Sequence, residues 1–146
     1  MFTARYAADV LPETDGRGYY VQFPDLPEAL TSGNDREDAL SEAADCLAEA
    51  LAGRMARKDE IPPPSSPKRG QRLVGVPFYL APKLALYLAV REHAIPNTAL
   101  AKRLGVSETV VRRMLNPKHV TKPERIEDAL AALGKRIVVS FEDAAA

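Results

Sequence analysis

Glu108, Thr109, Arg112 and Arg113 lie within the run NTALAKRLGVSETVVRRMLN, residues 97–116, and their side chains suit the reading of a nucleic-acid duplex. Carboxylates, hydroxyls and guanidinium forks hydrogen-bond to base edges, and the cations also meet phosphates. Asn97, Lys102 and Ser107 stand in the same run and complete the set expected on DNA there. Lys118 and Lys122 follow in the next loop and are expected on phosphates. Between Ala99 and Arg125 seven Lys or Arg face two acids, Glu108 and Glu124, so the neighbourhood is cationic. A duplex attracts such a surface whatever its sequence.

Those side chains need rigid elements to hold them. Leu100 and Leu104 are four apart and Val111 and Met114 three apart, which gives each of two short helices one apolar edge, with Val106 closing the corner between them. Gly105 lacks a Cβ and can take the left-handed conformation that ends a helix, and Ser107 can cap the amides of the next. With small Ala101 where the helices touch, the spacing resembles the helix-turn-helix of phage-repressor-like regulators, residues 108–115 being the recognition helix. The plain alternative is a helical hairpin that only packs, which needs no basic display.

The remainder of the chain divides by charge. Twenty basic residues balance twenty acidic ones, yet residues 1–70 carry 8 basic and 13 acidic groups while 71–146 carry 12 and 7. Two halves with opposite partners is the simplest reading. A single cysteine, Cys46, excludes an internal disulfide, and His93 and His119 stand apart, so neither a zinc site nor another cofactor is expected. Cys46 itself reads as a small packed thiol. No apolar run approaches a membrane span, and the N-terminus alternates instead of forming a signal-peptide core, which points to the cytosol.

The chain's first half predicts a small sheet covered by one helix. Phe2, Ala4, Tyr6, Ala8 and Val10 alternate with other residues as a first strand does, and Tyr19, Val21 and Phe23 give a second after turn chemistry at Pro12, Asp15, Gly16 and Gly18. A bend at 25–27 leads to a short third strand at 29–32. From Asp35 the period becomes helical, with Leu40, Ala43, Ala44, Leu47, Ala50, Leu51 and Met55 in one stripe and Asn34 or Asp35 as cap. Residues 61–70, IPPPSSPKRG, read as an exposed loop, and 71–77 as a further strand.

The second half predicts helices. Pro82 opens one that runs to His93 with Leu84, Tyr87, Leu88 and Arg91 on one face, and Pro96 starts the next. Thr121 and Glu124 have capping-box spacing for a last helix with Ile126, Ala129, Leu130 and Leu133 on its face, and Gly134 ends it. Residues 135–141, KRIVVSF, form a strand without an intramolecular partner, so Ile137, Val139 and Phe141 are expected to dimerise the chain. The fold class is thus α+β, with residues 1–78 as a sheet-and-helix domain and 79–146 as an all-α helix-turn-helix domain ending in a dimerising strand.

At this point the chain resembles the HicB-type antitoxins of bacterial toxin–antitoxin pairs, in the subgroup whose C-terminal half is a helix-turn-helix. The N-terminal signature is matched at Gly18, Val21, Phe23, Pro24, Asp25, Leu26, Pro27, Thr31, Gly33, Glu37, Ala39 and Leu40, and the C-terminal one from Leu84 to Glu142. The chain departs at Glu28, where the family usually has glycine, and at Asn34, where aspartate is common. The resemblance implies a partial RNase H-like N-terminal domain without catalytic carboxylates, which binds a small HicA-type toxin and blocks its mRNA cleavage. It also implies that the C-terminal half represses the operon as a dimer or higher oligomer. A toxin that binds RNA presents a basic surface, and Asp35, Glu37, Asp38, Glu42, Asp45 and Glu49 offer a complement, with Asp25 at the bend as a further toxin contact.

An enzyme is not expected. An RNase H-like nuclease needs several carboxylates on metal ions, and the first two strands offer Asp9 alone. No nucleophile elbow, phosphate-cradling glycine loop or His/Cys dyad appears. The competing reading is a stand-alone repressor whose N-terminal domain binds a small ligand; an antitoxin differs by co-purifying with a small basic protein.

Overall fold

The computed structural model describes residues 1–144, so the last two residues of the expected second domain lie outside the described residues. Among the described residues the chain is α+β, with four strands and five helices, and it forms two compact units, Met1–Ala85 and Leu86–Ala146.

In the first unit β1 (Arg5–Pro12), β2 (Tyr19–Phe23), β3 (Leu26–Gly33) and β4 (Arg72–Gly75) form one antiparallel sheet in the order β3-β2-β1-β4. β1 begins at Arg5 and not at Phe2, because its partners begin there: β4 lies opposite Arg5 to Ala8, and β2 opposite Asp9 to Pro12. The helix-side face carries Tyr6, Ala8, Val10, Val21, Phe23 and Ala29, all buried. The bend before β3 is tighter than expected. Pro24 and Asp25 make the turn, and β3 starts at Leu26, three residues ahead of the short strand read at 29–32. An irregularity in register between Gln22 and Phe23 accommodates this, and β3 is an edge strand, where Pro27 need not donate to a ladder.

Helix α1 (Arg36–Arg57) covers that face, packing most heavily on β3. Asp35 is its cap, accepting from the Asp38 amide at 2.8 Å, while the Asp38 carboxylate accepts from the Asn34 amide at 2.8 Å. The buried row is Ala39, Ala43, Leu47, Ala48, Leu51 and Met55. Ala48 takes the place that the stripe assigned to Ala44 and Ala50, which are half-buried with Leu40. Small side chains at 39, 43 and 48 let the helix lie close to the sheet, and the larger ones each contribute about 1.5–3 kcal/mol by leaving water. Gly33 has a specific reason: a Cβ there would meet the Ala39 amide nitrogen at 2.3 Å, so the β3–α1 junction admits only glycine.

The 61–70 loop is pinned to this unit. Ile61 is buried, the Tyr6 hydroxyl donates to the Pro62 carbonyl at 2.9 Å, and Asp25 accepts from the Ser65 amide and hydroxyl at 2.8 and 2.6 Å. Burial, with the Asp25 charge second, pushes the Tyr6 phenol up to about 12. Nearby, Glu28 receives the Arg54 guanidinium, with one hydrogen bond of 2.9 Å, and Arg54 also donates to the Glu60 carbonyl at 3.0 Å. The unusual Glu28 therefore ties β3 to the end of α1. The Arg54 hydrogen bond holds Glu28 down to about 2. A depressed carboxylate stabilises the fold above its unfolded value of about 4.3 and loses that contribution as pH falls toward 2. Glu28→Gln should accordingly lower Tm at pH 7 by an amount that shrinks below about pH 4.5 and is gone near pH 2. The pair is partly in solvent, its side chains 21% and 37% exposed, so the effect at pH 7 is at most about 1 kcal/mol. Thermal melts of both proteins across pH 2–7 check it; a constant difference would show the pair contributes nothing ionic.

Helix α2 (Ala81–His93) follows, with Lys83, Leu84, Leu86, Tyr87 and Ala89 buried. Arg91, read as part of its inner face, is exposed instead and lies over the Tyr87 ring at 5.6 Å, because a guanidinium keeps its head in water while its stem covers an aromatic. Desolvation lowers the Lys83 ammonium to about 8.

In the second unit α3 (Asn97–Leu104) packs on both α4 (Glu108–Leu115) and α5 (Pro123–Ala132). The core is Leu100, Ala101, Val111, Met114, Ile126, Ala129, Leu130 and Leu133. Gly105 ends α3 with φ 67°, and Gly134 follows α5 with φ 71°. The cap position of α5 falls one residue later than the Thr121 read from the sequence. Lys122 is the cap position of α5 without a side-chain bond, and Thr121 Oγ1 lies 3.3 Å from His119 Nδ1. Pro123 at the first helical position needs no partner for an amide it lacks. Residues 135–141 form no strand and have no ladder partner among the described residues, and they are exposed. The Lys135 amide donates to the Leu130 carbonyl at 2.9 Å and its ammonium meets Glu92 at 2.9 Å, which fixes where the segment leaves the unit.

Candidate functional site

The α3–turn–α4 pair assembles as its spacing requires. Ser107 accepts from the Val110 amide, and the Val106 amide donates back to the Ala101 carbonyl at 3.0 Å, so both ends of the turn are closed by hydrogen bonds. Val111 and Met114 anchor the inner side of α4. The helix is amphipathic, with Glu108 in its first turn and Arg112 and Arg113 in its last, both favourable to its dipole.

The two arginines part company. Arg112 is exposed on the side of Glu108 and Thr109, 3.7 Å from the Glu108 carboxylate and donating to Thr109 Oγ1 at 3.3 Å. The three form one polar cluster on α4, joined by an ion pair and a hydrogen bond, of side-chain types that can bond to base edges. Arg113 turns the other way. With Val110, Met114, His119, Thr121, Lys122 and Arg125 it lines a concavity of about 210 Å3 between α4, the following loop and the start of α5. Four nitrogen-bearing side chains around one notch suit a phosphate.

Of the other residues expected on DNA, Lys102, Ser107, Lys118 and Lys122 are exposed, and Asn97 is half-buried at the start of α3. His119 and Arg125 were missed in the sequence. Their signal was available, since both fall within the basic run, but the notch exists only because the 116–122 loop folds back, with Asn116 Oδ1 accepting from the Lys118 amide at 3.0 Å.

The acidic candidates of the first unit are less uniform. Asp25, Asp35 and Asp38 are engaged in the loop tether and the helix cap described above, which accounts for them structurally. Asp45 accepts from the Tyr79 hydroxyl at 3.2 Å. Glu37 and Glu42 are exposed along α1. Asp9, the strand carboxylate weighed for catalysis, accepts from Gln22 Nε2 at 3.2 Å and Gln71 Nε2 at 3.1 Å, a bracing role on the sheet. Cys46 is half-buried and burial raises its thiol, as a packed group requires. Among the described residues no helix is long and apolar enough to cross a membrane.

Known proteins with this pattern are antitoxins. The family described as HicB-like antitoxin of bacterial toxin–antitoxin system matches residues 5–85, the span of the sheet, α1 and the start of α2. The chain is 39% identical over 125 residues to Antitoxin HicB 2 of Photorhabdus laumondii, covering 86% of this chain and 88% of the relative. It is 36% identical over 138 residues to Antitoxin HicB 1 of the same organism, covering 94% and 87%. Antitoxin HicB of Escherichia coli is 34% identical over 133 residues, 91% of this chain and 96% of its own length. These alignments run through both units, and on them the chain belongs to the HicB-like antitoxin family of bacterial toxin–antitoxin systems.

Proposed function

We propose that this antitoxin binds and neutralises a small mRNA-cleaving toxin of the HicA type and represses its own operon by helix-turn-helix DNA binding. The observation that carries the second activity is the α3–turn–α4 pair, with Gly105 in the left-handed conformation, Ser107 as cap and Arg112 displayed with Glu108 and Thr109. Family membership supports the first, and the four-stranded sheet under α1 serves as its partial RNase H-like scaffold. The working form is a homodimer or higher oligomer joined through residues 135–141. Dimerisation matters because two recognition helices about 34 Å apart, or a multiple of that, read an inverted repeat.

The test is co-expression. With its neighbouring toxin reading frame, the tagged chain should retain a small basic protein through purification, and that protein alone should stop growth. A chain that purifies without partner and protects no cell from the toxin would leave only a repressor.

A further inference from the structure

Phe78 and Tyr79 sit side by side between β4 and α2, 72% and 65% exposed. Two adjacent aromatics at that exposure contribute little to the core, and they belong to the first unit while the groups proposed for DNA belong to the second. Their backbone is fixed: the Leu80 and Ala81 amides both donate to the Pro77 carbonyl, at 2.9 and 3.0 Å. The Tyr79 ring is held too, since its hydroxyl donates to Asp45 on α1 at 3.2 Å. Glu49, one turn further along α1, is near enough that its charge, after burial and Asp45, raises the phenol. Asp45 and Glu49 are themselves exposed. The result is a preset tyrosine ring beside two carboxylates, with an exposed phenylalanine next to it in the chain.

We infer that Phe78 and Tyr79, framed by Asp45 and Glu49, anchor the docking of the toxin and take a lysine- or arginine-bearing patch of its surface. This rests on the antitoxin reading proposed above. Aromatic faces attract ammonium and guanidinium groups, and rigid aromatics are the side chains that most often dominate an interface. The carboxylates add long-range attraction for a basic, RNA-binding partner and repel a phosphate backbone, which rules DNA out of this patch. A two-fold contact with a second copy is disfavoured, because it would set Asp45 and Glu49 against themselves. Because the ring is already oriented, little ordering is lost on docking.

The experiment uses the full-length antitoxin and the purified toxin encoded beside it, with affinity measured by calorimetry. Phe78→Ala with Tyr79→Ala should weaken toxin binding at least thirtyfold, the tenfold-per-1.4 kcal/mol equivalent of losing one interface hot spot of about 2 kcal/mol. Melting temperature and operator affinity should stay at wild-type values. Asp45→Asn with Glu49→Gln should mainly slow association, and less so as salt rises. If the aromatic pair variant misfolds, Phe78→Ser alone, at a site with little core contact, should still cost about tenfold. Unchanged toxin affinity in a folded aromatic variant overturns the patch while the antitoxin reading stands. A wild-type chain that binds no toxin overturns both. A variant that changes self-association by light scattering without toxin marks the patch as a self-contact and also overturns the inference.

Discussion

Arg112→Ala should weaken operator binding by about 1–3 kcal/mol and relax the preference for one base pair, as expected for loss of a bidentate contact to guanine. Arg113→Ala should behave differently. Because Arg113 lines the notch with His119, Lys122 and Arg125, its loss should weaken operator and unrelated duplex alike, and lower the salt dependence by about one unit. Lys122→Ala should follow Arg113. The Arg112 effect has a structural precondition, which is that Glu108 and Thr109 hold the guanidinium at the surface of α4. Removing Glu108 frees Arg112 without deleting it, so Glu108→Ala should broaden specificity more than it reduces affinity. Titrations of operator and scrambled duplex at several salt concentrations separate these outcomes. Unchanged operator affinity in the Arg112→Ala, Arg113→Ala double variant would remove α4 from the interface.

How far the sequence foretold this site depends on the kind of signal. Local rules carried α3, the turn and α4, since apolar spacing, a glycine and a capping serine each act within a few residues. The cap of α1, read as Asn34 or Asp35 and supplied by Asp35, and the hairpin of β1 and β2 were legible for the same reason. What was hidden required neighbours distant in the chain. β1 starts at Arg5 because its ladder with β4, some seventy residues later, begins at the Arg5–Gly75 pair. Ala48 joins the buried row because α1 packs chiefly on β3 and β2, neighbours that the stripe alone does not state. The Thr121–Glu124 spacing had the form of a capping box, whereas Lys122 holds the cap position of α5. Among the acids, charge suggested one surface, whereas hydrogen bonding divides them into caps and tethers on one hand and free carboxylates of α1 on the other. Composition cannot make that division, because a capping aspartate and a solvated one are the same letter.

Removing everything after Lys135 should turn the dimer into a monomer and reduce operator affinity by two to four orders of magnitude. Within one chain the segment exposes Ile137, Val138, Val139 and Phe141, which are 37%, 65%, 71% and 101% exposed. Its backbone is also open, with no strand partner among the described residues. In the proposed dimer a second copy of this β-branched stretch would satisfy both its apolar side chains and its open backbone. Keeping Lys135 preserves its contacts with Leu130 and Glu92, so α5 and the rest of the unit stay intact and the loss can be assigned to the strand. The size of the effect follows from linkage: once one recognition helix is bound, the second binds as an intramolecular event, and that advantage disappears with the dimer. Val139→Asp should reproduce the truncation, because a carboxylate in a paired strand would be buried without a partner. Toxin binding should be unaffected in both, since the acidic helix and the aromatic pair lie in the other unit. Light scattering and operator titration decide it, and a truncated chain that remains dimeric would move the contact to another edge, for which the two edge strands β3 and β4 are the candidates.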